Sequence, residues 1–375
     1  MTTDDKIIKN DERAIFALRA LYRQYGYSQF KMSRFEEYDL YVKNKDFLLS
    51  DEVITFTDRS GKLMALKPDV TLSIIKNSVD REGEIQKVYY NENVYRVAKG
   101  THSFKEIMQA GLECVGDLHS YDIAEVVLLA VKSLALISKK YVLDISHMGL
   151  VAAILEESGL SHDGKAQAHA CLHQKNTHEL REICNAEGIA DEETEKLCAL
   201  VECFGSAGKV LSSISPLLTT DKEREAFTEF ENLCKIIEMS GFAKAVRVDF
   251  SVGNDMKYYS GVVFKGYIEG IPASILSGGQ YDRLLKKMGR KSGAIGFALY
   301  LDLLERMATT EESYDIDTVL LHDANADTLL LTQAADKLSK KGSVLISTNV
   351  PEQVKWRRLM RFSDDGRIET LEDNG

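Results

Sequence analysis

From about Gly149 to Gly241 the chain holds one proline, Pro216, and a long polar-apolar periodicity, while the stretches on either side are cut into short alternating runs. A sequence that is helical through its middle and strand-forming at both ends must be an α+β protein with a helical insertion, here placed at about 150–242. Ahead of it, Ile7, Ile8, Ile15, Phe16, Leu18, Leu21 and Tyr22 recur at helical spacing and the pattern stops at Gly26, which predicts an opening helix over 6–25. Ile54–Thr57, Leu63–Leu66, Lys87–Val97 and Met108–Gly116 read as strands, with Asp58-Arg59-Ser60-Gly61 as a turn. Helices at 69–78 and 120–139 then predict an antiparallel sheet with helices packed on one side. Within the insertion the runs Ala166–Ala186, Asp191–Phe204 and Thr220–Ser240 read as successive helices. Strands at Ala245–Phe250, Gly261–Tyr267 and Ala273–Leu276 and a helix over Gly296–Met307 complete a first domain, residues 1–312. A strand at Asp317–Leu321, a helix over 325–340 and a strand at Ser343–Ser347 predict a small C-terminal α/β domain, 313–375.

Composition narrows the function. A net charge of -11 permits a local basic patch but opposes nucleic-acid binding, which needs cations to neutralise phosphates. The nearest thing to such a patch, Lys355, Arg357, Arg358 and Arg361, reads as a solvated helix face. No apolar run is long enough to span a membrane and Met1–Asn10 is polar, so a soluble, cytoplasmic protein is expected. Cys114, Cys171, Cys184, Cys198, Cys203 and Cys234 form no CxxC pair, which predicts reduced thiols. His169 and His173 lie four apart with Cys171 between them, but no carboxylate-histidine motif accompanies them, so no metal is expected. Neither a P-loop, a G-x-S-x-G nor a G-x-G-x-x-G sequence is present, and no cofactor is predicted.

Three groups of residues point to chemistry. Gln109, Gly111 and Glu113 alternate along a strand and so face one side. A single such strand reads equally well as a polar face in water. Asp69 and Thr71 can accept bonds from an ammonium group, although an Asp directly after Pro68 is also a good helix N-cap. Tyr258 and Tyr259 offer a ring wall and a phenol, and Gly278-Gly279 lets a ligand approach the backbone.

In this order, Thr57-Asp58-Arg59-Ser60-Gly61 with Leu66-Lys67-Pro68-Asp69-Val70-Thr71, then Val94-Tyr95-Arg96, Gln109-Ala110-Gly111-Leu112-Glu113, Asn254 to Gly261 and Gly278 to Leu303 resemble the histidyl-tRNA synthetase family over most of residues 1–310. The resemblance implies a class II aminoacyl-tRNA synthetase-like fold. It implies a histidine pocket made of Asp69, Thr71, Arg96, Gln109, Glu113, Tyr258, Tyr259 and Tyr281, in which Gln109 takes the amino acid's main-chain groups and Glu113 a ring nitrogen. It also shows where the pattern is lost: the family's two activating arginines are Asn254 and Leu303 here, and the glutamate that the family has two residues after the signature arginine is Ala98. Neutral residues cannot neutralise phosphate charge, so adenylate formation is not expected. This combination is similar to the ATP phosphoribosyltransferase regulatory subunit family, synthetase paralogues that charge no tRNA. That likeness implies a short-form catalytic subunit as partner, L-histidine as ligand, a homodimer within a hetero-oligomer, no use of tRNA, and a role in the first step of histidine biosynthesis. The class II pairing region falls at about Tyr25–Tyr41, with Ser33 in place of the family's proline. The C-terminal domain is short for an anticodon-binding domain and resembles a truncated remnant. A working histidyl-tRNA synthetase and a non-catalytic tRNA-sensing module are the alternatives.

Overall fold

The computed structural model describes residues 10–45, 53–78, 80–97, 103–253, 258–306, 314–363 and 365–374. The chain divides into two compact units, Met1–Met307 and Ala308–Gly375. The larger begins with α1 (Asn10–Gln24), which ends at Gly26 in the left-handed region. Strands β1 (Ser28–Gln29) and β2 (Phe35–Glu37), helix α2 (Tyr38–Lys43), and strands β3 (Thr55–Thr57) and β4 (Leu63–Leu66) follow. The predicted turn between β3 and β4 forms because Asp58 Oδ1 accepts the Ser60 and Lys62 N–H groups and Gly61 takes φ 84°. Next come α3 (Thr71–Asn77), the long hairpin β5 (Ile85–Val97) and β6 (Phe104–Gly116), and α4 (Ser120–Ile137). Strand β7 (Tyr141–His147), which the sequence reading leaves unassigned, precedes the insertion.

The insertion consists of α5 (Met148–Glu157), α6 (His162–Gln174), α7 (Thr177–Ala186), α8 (Asp191–Glu202), the short β8 (Phe204–Gly205), α9 (Ala207–Ile214) and α10 (Asp221–Met239). The run predicted as one helix over 166–186 is two. Lys175 closes α6 in the left-handed region at φ 56°, and Asn176 starts α7 by accepting the Glu179 N–H. Helix α10 is fixed at its start by a capping box, with Thr220 accepting the Glu223 N–H and Glu223 accepting that of Thr220. The buried Lys196 ammonium lies 2.9 Å from the Glu223 carboxylate and joins α8 to this cap.

The chain then returns through β9 (Val246–Asp249), β10 (Val262–Ile268), β11 (Leu276–Gln280), α11 (Asp282–Lys287) and β12 (Gly293–Tyr300). Among the described residues the unit's main sheet has nine strands in the order β1-β5-β6-β12-β11-β10-β7-β9-β8. The antiparallel expectation holds from β5 to β7, but β1 pairs β5 and β7 pairs β9 in parallel. The long helical insertion supplies the crossover that parallel pairing of β7 with β9 requires. The helix expected over 296–307 is a correction. Residues 296–300 belong to β12, hydrogen-bonded between β6 and β11, and Leu301–Arg306 form a 3-10 turn. Two flanking ladders outweigh the local periodicity of a short apolar run. On one face of the sheet Ala110, Leu112 and Cys114 of β6 join the main core with α1, α4 and the insertion helices. The other face of the same strand is the polar one. All six cysteines are unpaired.

The smaller unit pairs β13 (Ile316–Leu321) with β14 (Val344–Ser347) and β15 (Trp356–Phe362) in parallel, with α12 (Thr328–Ser339) as the crossover and β16 (Ile368–Asp373) antiparallel at one edge. Arg357, Arg358 and Arg361 of the cationic stretch read as a helix face therefore lie on strand β15, between β13 and β16, with Lys355 just ahead of it and Leu359 and Phe362 buried. Among the described residues no helix is long and apolar enough to cross a membrane.

Candidate functional site

The polar face of β6 is the floor of a cavity of about 100 Å³. All eight residues singled out above, Asp69, Thr71, Arg96, Gln109, Glu113, Tyr258, Tyr259 and Tyr281, line it. Ala98 and Asn254 lie outside the described residues. Leu303 lines no part of the cavity and packs, half-buried, against the main core.

Glu113 is the centre of the arrangement. It is 2% exposed, and its two oxygens accept from the Thr71 hydroxyl at 2.8 Å and from the Tyr281 phenol. Burial raises its pKa to about 8, against the lowering effect of those two donors. Space for this carboxylate depends on Gly296, the residue opposite Glu113 in the β6–β12 ladder. A methyl group there would overlap Glu113 Oε2 and crowd the Leu112 carbonyl. Gly296→Ala is therefore expected to destabilise the fold by about 2 kcal/mol through overpacking. Gly208→Ala, in helix α9 where an added methyl meets nothing within 4 Å, is expected to stabilise by about 0.5–1 kcal/mol. Denaturant titration of the two variants checks the pair, and equal midpoints would contradict the packing argument.

Around Glu113 the groups divide by charge. Gln109 is 3% exposed, and its amide nitrogen has no hydrogen-bond partner among the described residues. An unsatisfied buried donor costs about 1–3 kcal/mol, which a ligand acceptor would recover. Arg96 Nε donates to the Pro68 carbonyl at 3.0 Å, and the same guanidinium bonds the Tyr300 phenol. Asp69 Oδ1 accepts the Leu72 N–H at 2.9 Å, so the helix-capping role is real, and the same side chain also faces the cavity. Burial raises the Asp69 pKa, against the pull of the Leu72 N–H and Arg96. Tyr258 stacks edge-on against Tyr259 at 4.7 Å between ring centroids and lies 5.7 Å from Tyr281. Burial holds these phenols neutral by pushing their pKa values up. The cavity thus offers a cation and an open amide donor, a carboxylate beside them, and a carboxyl group set among aromatic rings.

Tyr90, Ser277 and Tyr300 also line the cavity and were not anticipated. Tyr300 stands opposite Gln109 in the β6–β12 ladder and Tyr90 opposite Gly111 in the β5–β6 ladder. Period-2 alternation would have revealed Tyr300 had residues 296–300 been read as a strand.

The chain matches the histidyl-tRNA synthetase family over residues 5–304. It is 27% identical over 325 residues to the ATP phosphoribosyltransferase regulatory subunit of Oceanobacillus iheyensis, covering 84% of this chain and 80% of that one. It is 26% identical over 370 residues to the protein of the same name from Clostridium novyi, covering 94% and 88%. A solved structure from Bacillus halodurans, described as an ATP phosphoribosyltransferase regulatory subunit/histidyl-tRNA synthetase, superposes with a TM-score of 0.73 at 23% identity, over 94% of this chain and 93% of that one. The matched family covers the whole of the large sheet, the helical insertion and the cavity, and the chain belongs to the histidyl-tRNA synthetase family.

Proposed function

We propose that this chain is a non-catalytic regulatory subunit of an ATP phosphoribosyltransferase, which activates a short-form catalytic subunit in the first step of histidine biosynthesis and carries histidine feedback. The observation that carries the reading is the name shared by relatives over most of the chain, ATP phosphoribosyltransferase regulatory subunit. The cavity supports it chemically. In this reading the α-carboxylate of L-histidine meets Arg96 and the open Gln109 amide, and its ammonium meets Asp69. Its imidazole pairs with Glu113 and Tyr281 against the Tyr258 and Tyr259 rings. Feedback follows if histidine binds one state of the complex more tightly than another. Leucine at position 303 supports the absence of aminoacylation, because an alkyl group packed against the core stabilises no phosphate. Exposed Phe35 and Val42 in the Tyr25–Tyr41 region and beside it support pairing of two copies there.

The reading is tested by mixing the chain with the same organism's short-form catalytic subunit. Co-migration as one complex in sedimentation, with no histidine-dependent pyrophosphate exchange by the chain alone, is the expected result. Separate migration overturns it, and pyrophosphate exchange would identify a working synthetase instead.

A further inference from the structure

A second groove, of about 550 Å³, opens where β10 begins and β7 ends, between the start of α4 and the outer face of α10. It shares no lining residue with the first cavity. Its buried polar group is His147, 6% exposed and opposite Val262 in the β7–β10 ladder. Nδ1 of this ring accepts the Leu150 N–H at 3.1 Å, capping α5, so the ring proton sits on Nε2. Burial pushes the pKa down to about 4, and the ring is neutral at physiological pH. The resulting Nε2–H group stands 3.7 Å from Glu229 Oε2, beyond hydrogen-bond range, with no closer partner among the described residues.

The surrounding chemistry selects what can occupy the space. Both ring nitrogens are committed, one lone pair to Leu150 and the other position to the proton, which opposes metal ligation. An anion is opposed by the Glu229 carboxylate, which has no Lys or Arg within salt-bridge distance among the described residues. The start of α4 offers an anion little, because the Asp122 carboxylate already accepts the His119 N–H there at 3.0 Å. Leu233, Ile236 and Val262 supply an apolar wall.

We propose that this groove binds a small organic ammonium compound with a hydrogen-bond acceptor beside its charge. The ammonium sits on Glu229, the acceptor takes the His147 Nε2–H, and an apolar body lies against Leu233, Ile236 and Val262. The site is independent of the histidine reading of the first cavity. L-leucinamide has the required ammonium, carbonyl and alkyl groups, whereas L-leucine adds a carboxylate that Glu229 would repel.

The test uses the full chain, titrated with each compound by calorimetry with and without L-histidine, while the His147 imidazole is followed by long-range proton-nitrogen NMR. Saturable L-leucinamide binding that shifts the His147 Nε2–H resonance, and that weakens about fivefold in Glu229→Gln, is the expected result. Glu229 is largely exposed on α10, so the variant should fold. The proposal is overturned if the resonance does not move up to tens of millimolar probe, if Glu229→Gln binds equally well, or if L-leucine binds as tightly as its amide.

Discussion

Glu113→Ala is expected to weaken L-histidine binding by about a hundredfold, the hydrogen bond between a buried carboxyl and the imidazole being worth about 1.5–3 kcal/mol when one partner is charged. The same change strips acceptors from the Thr71 hydroxyl and the Tyr281 phenol, which now donate to Glu113. A drop in stability should therefore accompany the loss of affinity. Glu113→Gln separates the two effects, since the amide oxygen still accepts from one of those hydroxyls while the NH2 donates to the other, but the amide cannot share a proton with an imidazole. It should fold at least as well as the parent and still bind histidine poorly. Calorimetry on both variants reads the result, and parent-like affinity in either would remove Glu113 from the site.

The second large effect is on pH dependence, through the Glu113 pKa of about 8. Its unfolded-state value is near 4.5, so between pH 4.5 and 8 the folded chain holds a proton that the unfolded chain has released. Stability contributed by this group is thus fully present below pH 4.5 and is lost as pH rises to 8, on the order of a few kcal/mol in total. Glu113→Gln removes the loss, so the stability gap between variant and parent should widen with pH across that window and level off above it. A gap that stays constant from pH 5 to 9 would contradict the raised pKa. The same proton governs affinity. Between the ordinary imidazole pKa of about 6.5 and the Glu113 value, the free site carries the carboxyl proton and the ring of free histidine is neutral, with one nitrogen open to accept it. The complex pairs the two through that single proton, so binding exchanges none and affinity is greatest. Below the window a proton must be expelled and above it one must be taken up, which gives a bell-shaped affinity profile.

Much of this was legible in the sequence where the signal was local. Gln109, Gly111 and Glu113 sit at alternate positions of one strand, and strand geometry alone puts them on one face. The turn at Asp58–Gly61 and the start of a helix at Thr220, both read from the sequence, rest on side chains two or three residues from the backbone groups they satisfy. What stayed hidden depended on distant partners. Strand β7 carries Asp144, which is buried only because Arg247 meets it with two hydrogen bonds from β9, across the whole insertion. Residues 296–300 have an apolar pattern that suits a helix, and only their placement between β6 and β11 makes them a strand. The consequence reached the site, since Tyr300 is visible as a lining residue only once that strand is known. The cationic stretch 355–361 was misread for the same reason, its strand being defined by β13 some forty residues earlier.

The most direct measurement is phosphoribosyl-ATP formation by the same organism's short-form catalytic subunit, with and without this chain, across a titration of L-histidine. Activity that appears only in the mixture, falls as histidine is added, and resists histidine when the chain carries Glu113→Gln is the result the regulatory reading predicts. Catalysis indifferent to the presence of this chain would contradict it.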